Sequence, residues 1–183
     1  MRLLLCSASP RRRDFLAGLG ISFEISPPHV DETRLPGEGV LKYVERVARA
    51  KLRTKPGFAG LSADTIVVLG EELLGKPRDR ADAARMLRLL AGAEHRVITS
   101  VCVGEKQRTV ETLVRFGRLS EAQLRWLADS GDGDDKAGAY AVQGLAGAFV
   151  ERIEGSFTNV VGLPLAETLQ LLAEAGVEMP WKG

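Results

Sequence analysis

The amino-acid sequence predicts an α/β protein built on a mixed, twisted sheet flanked by helices. Three observations carry this. Short apolar runs of strand length alternate with amphipathic helical stretches. Two pairs of strands return on themselves through short turns, which adds antiparallel pairs to the sheet. Helix starts and stops carry the residues that cap helices. The chain has 183 residues, the size of one domain or of one domain with two lobes, and shows no internal repeat or low-complexity tract.

Taken in order, Leu3–Ser7 reads as a buried strand, and Ser9-Pro10 opens a helix that runs to about Leu19 with Gly20 as its stop. Ile21–Ser26 alternates as a strand and is ended by Pro27-Pro28. From Gly39 to Leu52 the spacing Val40, Val44, Val47 predicts an amphipathic helix. Leu61–Leu69 is a strand with a hairpin return at Leu73–Gly75. Asp79 and Asp82 start a helix with the stripe Ala83, Met86, Leu87, Leu90, which Gly92 ends. Val97–Val103 and Thr109–Phe116 form a second hairpin. Ser120 with Gln123 is a capping box for a helix to about Ala128. Strands are expected around Tyr140–Gln143 and Ala148–Ile153, and a last helix from about Leu165 to Ala175.

Composition excludes several classes. Twenty-five basic against 24 acidic residues leave a net charge of +1, without the broad positive field that duplex or membrane-surface binding uses. No nucleic-acid or membrane partner is expected. The apolar run after Arg2 is too short for a signal peptide, and no stretch is long enough to span a bilayer. The expected location is the cytoplasm. Cys6 and Cys102 lie in apolar strand-like runs and read as buried free thiols. His29 and His95 show no metal-ligand spacing.

Three segments carry chemistry. Ser7-Ala8-Ser9-Pro10-Arg11-Arg12-Arg13 puts three arginines in the first turn of a helix, each opposing the dipole by about 0.3–1 kcal/mol. A bound polyanion explains them, with hydroxyls, backbone N–H groups and guanidinium forks converging on phosphate. On this reading Arg12→Ala should leave unliganded stability unchanged or slightly higher. Ala63-Asp64-Thr65 heads an apolar strand, where a carboxylate needs a compensating cation, and the hairpin return brings Lys76 near it. Asp64 is a candidate base or metal ligand. Lys51, on the apolar stripe, is a candidate phosphate ligand, and Asp31-Glu32 could hold Mg²⁺ through oxygen. Gly70–Lys76 has Walker A spacing, but Pro77 stands where Ser or Thr is required and two glutamates would repel phosphate, so it is not a P-loop. In Lys136–Ala148, eight of the twelve residues from Ala137 onward are Ala or Gly, permitting close backbone approach. Gln143 is the amide there that could read a nucleobase edge.

Together these segments resemble the Maf family of nucleoside triphosphate pyrophosphatases. The match runs from Ser7–Arg12 and Val30-Asp31-Glu32-Thr33 through Ala63-Asp64-Thr65, Gly75-Lys76-Pro77, Lys136–Tyr140 and Gln143-Gly144 to Asn159–Leu165. The resemblance implies a single domain over residues 1–183, with two lobes and a central nucleotide cleft, like the inosine-triphosphate pyrophosphatases. It implies hydrolysis of a nucleoside triphosphate to monophosphate and pyrophosphate with a divalent metal, Mg²⁺ or Mn²⁺. It makes Asp64 the proton acceptor. Arg11, Thr65 and Gln143 become residues of substrate choice, in the combination that looks like the dTTP/UTP branch. The residues themselves agree: Ser7, Arg11, Arg12, Lys51, Lys76 and Lys136 can supply donors to the phosphates, and Glu32 and Asp64 can hold the metal and its water. A homodimer is compatible with this reading. The alternatives are a regulatory protein that binds nucleotides without turnover, or a pyrophosphatase of another nucleotide such as 7-methyl-GTP.

Overall fold

The computed structural model describes residues 1–181 and has the expected α/β class. The elements are β1 (Arg2–Leu5), α1 (Pro10–Gly18), β2 (Phe23–Ile25), α2 (Val40–Lys51), β3 (Phe58–Leu69), β4 (Glu72–Leu74), α3 (Arg80–Leu90), β5 (Glu94–Val103), β6 (Lys106–Phe116), α4 (Glu121–Ser130), β7 (Val150–Glu154), α5 (Phe157–Val161) and α6 (Leu165–Glu174). Two 3-10 turns lie at Ala137–Ala139 and Leu145–Phe149. The strands join in a seven-stranded mixed sheet in the order β2-β1-β3-β5-β6-β7, with β4 on β3. The chain divides into two compact units, the first being Met1–Asp64, Thr99–Val110 and the segment from Gly162, the second Thr65–Ile98 and Glu111–Val161.

In the first unit, β1 is flanked by parallel partners, with Leu3 opposite both Phe23 of β2 and Ala59 of β3. Parallel neighbours leave no solvated face, which is why Leu3, Leu4 and Leu5 run without polar interruption. Helix α1 makes the crossover from β1 to β2, and Leu16 buries against Leu3, Leu5 and Leu61. Leu171 and Leu172 of α6 complete that core. Each such side chain contributes roughly 1.5–3 kcal/mol by leaving water.

In the second unit, β3 and β4 pair antiparallel with Val67 opposite Leu74, so the expected hairpin forms, and the segment from Gly70 is its turn and return strand. Asp79 caps α3 by accepting a 2.8 Å hydrogen bond from the Asp82 amide, and α3 packs on α4. Helix α4 carries both bonds of the Ser120/Gln123 capping box and ends at Gly131 in the left-handed region.

Two expectations need correction. Tyr140–Gln143 is not a strand. The chain there enters through Gly138 (φ +74°) and Ala139 (φ +59°), and two successive left-handed residues turn the backbone out of the extended region. Leu145–Phe149 is a 3-10 turn, so β7 begins at Val150. The short α5 was not anticipated, because five residues give no helical periodicity to read.

Candidate active site

The end of β1 and the first turn of α1 place Ser7 and Arg12. Ser9 holds the N-cap position with Pro10 inside the helix, but its side chain makes no capping bond. The Ser9 amide instead donates to Ser7 Oγ at 3.2 Å. Of the three arginines, Arg13 is exposed and Arg11 half-buried, whereas Arg12 is only 9% exposed. Its guanidinium donates to Gly162 O at 2.8 Å, Ala63 O at 2.7 Å and Ser7 Oγ at 3.2 Å. The structure removes the ground for expecting Arg12→Ala to leave stability intact: the turn is not solvated at Arg12, which fastens α1 to β3 and to the loop at Gly162. Burial pushes its guanidinium down to about 10, against the nearby Asp64 carboxylate that supports the cation.

Helix α2 and β3 bring the next group together. Ser62 Oγ donates to Ala48 O at 2.7 Å, aligning the last turn of α2 with β3. Val44, Val47 and Ala48 bury the same face. The stripe carries Lys51 inward, its side chain 14% exposed, where Nζ meets Asp64 Oδ1 at 2.7 Å. The same Nζ lies 2.8 Å from Glu32 Oε1. Asp64, 7% exposed, is raised above the usual carboxylate range by burial, with Lys51 and Arg12 opposing the shift. A carboxyl so poised is a stronger base than an exposed aspartate.

The second unit holds the remaining residues. Thr65 follows Asp64 on β3 and is half-buried. Lys76 is exposed just beyond β4, next to Gly75, whose carbonyl accepts from the Gly138 amide at 3.0 Å. A side chain on Gly138 would press on Val67, which accounts for the glycine at that position. The Lys136 ammonium donates to Asp132 O and to Asp135 Oδ1, the latter at 2.6 Å. Gln143 is exposed in the turn that follows. The structure thus joins Ser7 with Arg12, and Glu32 with Lys51 and Asp64. The cation on Asp64 is Lys51, where the hairpin argument had pointed to Lys76.

The family described as Maf-like protein matches residues 2–175. The chain belongs to the Maf family. Relatives of this Maf protein include a dTTP/UTP pyrophosphatase of Anaeromyxobacter dehalogenans (strain 2CP-1 / ATCC BAA-258), 54% identical over 99% of this chain and 97% of the relative. A dTTP/UTP pyrophosphatase of Myxococcus xanthus is 49% identical over 98% and 95% of the two chains. One from Hahella chejuensis is 48% identical over 97% and 94%.

Among the described residues of this Maf protein, no group of three or more His, Cys, Asp or Glu side chains could hold a metal ion. The pair Glu32 and Asp64 nonetheless fits one, since both already turn an oxygen onto a single cation, the Lys51 ammonium. Mg²⁺ is commonly held by one or two carboxylates and completed by substrate phosphates and water. Sequence reasoning missed the Gly162 carbonyl that receives Arg12. The one signal for it was a glycine between two apolar pairs, Val160-Val161 and Leu163-Pro164, here at φ +119°. No helix among the described residues is long and apolar enough to cross a membrane.

Proposed function

We propose that this chain hydrolyses nucleoside triphosphates to the monophosphate and pyrophosphate, with dTTP and UTP as preferred substrates. The observation that carries the reading is one largely buried ammonium, Lys51, joining Glu32 and Asp64 beside a buried arginine. Carboxylates alone would repel a polyanion, so a site that pairs them with cations suits a charged substrate that must also be attacked. The relatives' shared name supplies the substrate class.

In this reading water attacks the α-phosphorus, the bond to the bridging oxygen breaks, and pyrophosphate leaves. Asp64 accepts the proton of that water at its carboxylate. Lys51 and Lys76 neutralise phosphate charge, as does Lys136 on release from its loop carboxylate. Ser7 and Arg12 shape the first turn of α1, and Arg11, Thr65 and Gln143 are the residues of base and sugar choice. Glu32 and Asp64 would hold a divalent cation, Mg²⁺ or Mn²⁺, which supplies charge neutralisation and a more acidic water. The test is pyrophosphate release by the purified protein with Mg²⁺ across a panel of triphosphates. Release from UTP and dTTP in preference to GTP and CTP supports the reading. Tight nucleotide binding with no pyrophosphate released refutes it.

A further inference from the structure

Glu32 sits in a segment without regular secondary structure between β2 and α2, and its side chain is half exposed. Such a segment would ordinarily let a carboxylate wander. Here α2 holds it at two points. Tyr43 Oη donates to the backbone carbonyl of Glu32 at 2.9 Å. Arg46, one turn along, donates Nη2 to the carbonyl of Thr33 at 3.0 Å. Arg46 is itself fixed by a two-pronged pair with Glu38, Nε to Oε1 at 2.6 Å and Nη2 to Oε2 at 2.8 Å. Glu38 also accepts from the Leu35 amide at 3.0 Å, and its carbonyl accepts from Arg34 at 2.8 Å, which closes the segment on itself. The forked Arg46 guanidinium holds the Glu38 carboxyl down at about 2, so the pair is ionised at neutral pH. Within the segment, Asp31 Oδ1 accepts from the Thr33 amide at 2.8 Å, making the turn that presents Glu32.

We infer that Tyr43 and Arg46, with Glu38, are positioning residues that set Glu32 for the divalent cation. The inference rests on the proposed function in taking Glu32 as a metal ligand. Its physical content is that α2 carries both the group that reaches Glu32 from the side, Lys51, and the two that grip the backbone at Glu32 and at its neighbour Thr33. Groups that orient a metal ligand commonly change metal affinity by about 10–100-fold when removed.

The experiment measures Mn²⁺ affinity of the nucleotide-free protein by electron paramagnetic resonance, for wild type, Tyr43→Phe, Arg46→Gln and Glu32→Gln, and for each of the first two combined with Glu32→Gln. Thermal melting is followed in parallel. Tyr43→Phe and Arg46→Gln should each weaken Mn²⁺ by about tenfold. Neither should weaken it further once Glu32 is Gln, because both act through that side chain. Tyr43→Phe, which removes one hydroxyl from a half-buried ring, carries the test if Arg46→Gln does not fold. If Glu32→Gln weakens Mn²⁺ while Tyr43→Phe binds it as wild type does, the positioning role is wrong and the metal reading stands. Losses that add fully to that of Glu32→Gln also overturn the positioning role. If Glu32→Gln leaves Mn²⁺ affinity unchanged, the metal reading fails and the inference with it.

Discussion

Lys51 donates to Asp64 at 2.7 Å from the last turn of α2, and both side chains are largely withdrawn from water. A buried ion pair of this kind is costly to break one-sidedly, because the survivor keeps its desolvation without its partner. Lys51→Met should therefore lower stability by roughly 1–3 kcal/mol and push the Asp64 carboxyl further up. Urea denaturation of the two proteins decides it, and unchanged stability would show that water already screens the pair. Asp64→Asn keeps the shape but cannot take a proton. Its hydrolysis rate should fall at least about a hundredfold, while metal-free triphosphate binding survives or tightens. Near-normal turnover would remove Asp64 from the chemistry.

Arg12 should behave as a structural residue as well as a cationic one. Arg12→Ala removes the guanidinium bonds of 2.7 and 2.8 Å to the carbonyls of Ala63 and Gly162. Loss of charge-assisted bonds in a buried place costs about 2–4 kcal/mol. The unliganded protein should melt several degrees lower, and nucleotide should bind more weakly. A variant with full thermal stability would return Arg12 to the solvated role expected of a basic first turn.

His95 supplies a pH dependence. It is 1% exposed, stacks on Phe116 at 5.7 Å between ring centres and shares a 2.8 Å hydrogen bond with Tyr140 Oη through Nε2. Burial pushes its imidazole down from 6.5 to about 4. The unfolded chain therefore takes up a proton that the folded chain refuses between those values. Stability is whole above pH 6.5, falls as pH drops through the window, and has lost its full share below pH 4, about 3 kcal/mol in all. His95→Gln should flatten the stability curve between pH 6.5 and pH 4, compared by denaturant titration at each pH. Parallel curves for the two proteins would assign the pH dependence elsewhere.

Base selection is the prediction for Gln143. Uracil and thymine present acceptor, donor and acceptor at O4, N3–H and O2, and an amide can pair with two neighbours of that set. Cytosine replaces the first with an amino donor and lacks the N3 proton, so a site arranged for uracil leaves groups unpaired at about 1–3 kcal/mol each. Gln143→Ala should reduce kcat/KM for UTP and dTTP and narrow their margin over CTP, measured as pyrophosphate release from each triphosphate. Unchanged selectivity would place base reading on other residues.

Much of this was legible in the sequence because it is local. The uninterrupted apolar run of β1, the capping box Ser120/Gln123 and the β3–β4 turn each depend on residues a few positions apart, whose hydrogen bonds and periodicity are written in their order. The motif residues were legible by type for the same reason: a carboxylate in an apolar strand run, which lies in the middle of β3 and not at its head because the strand begins at Phe58, and a lysine on an apolar stripe announce a compensated charge wherever they occur. Tertiary structure alone decided who compensates whom. Asp64 could have met Lys76 across a hairpin, but Ser62 binding Ala48 draws α2 onto β3 and puts Lys51 there. Arg12 could have faced water, but β3 and the loop at Gly162 bring the carbonyls of Ala63 and Gly162 to its helix turn, and the guanidinium donates to both. Helical and strand periodicity specify which face a residue takes. Which partner waits on that face depends on segments brought from elsewhere in the chain, and spacing along the sequence carries no record of that distance.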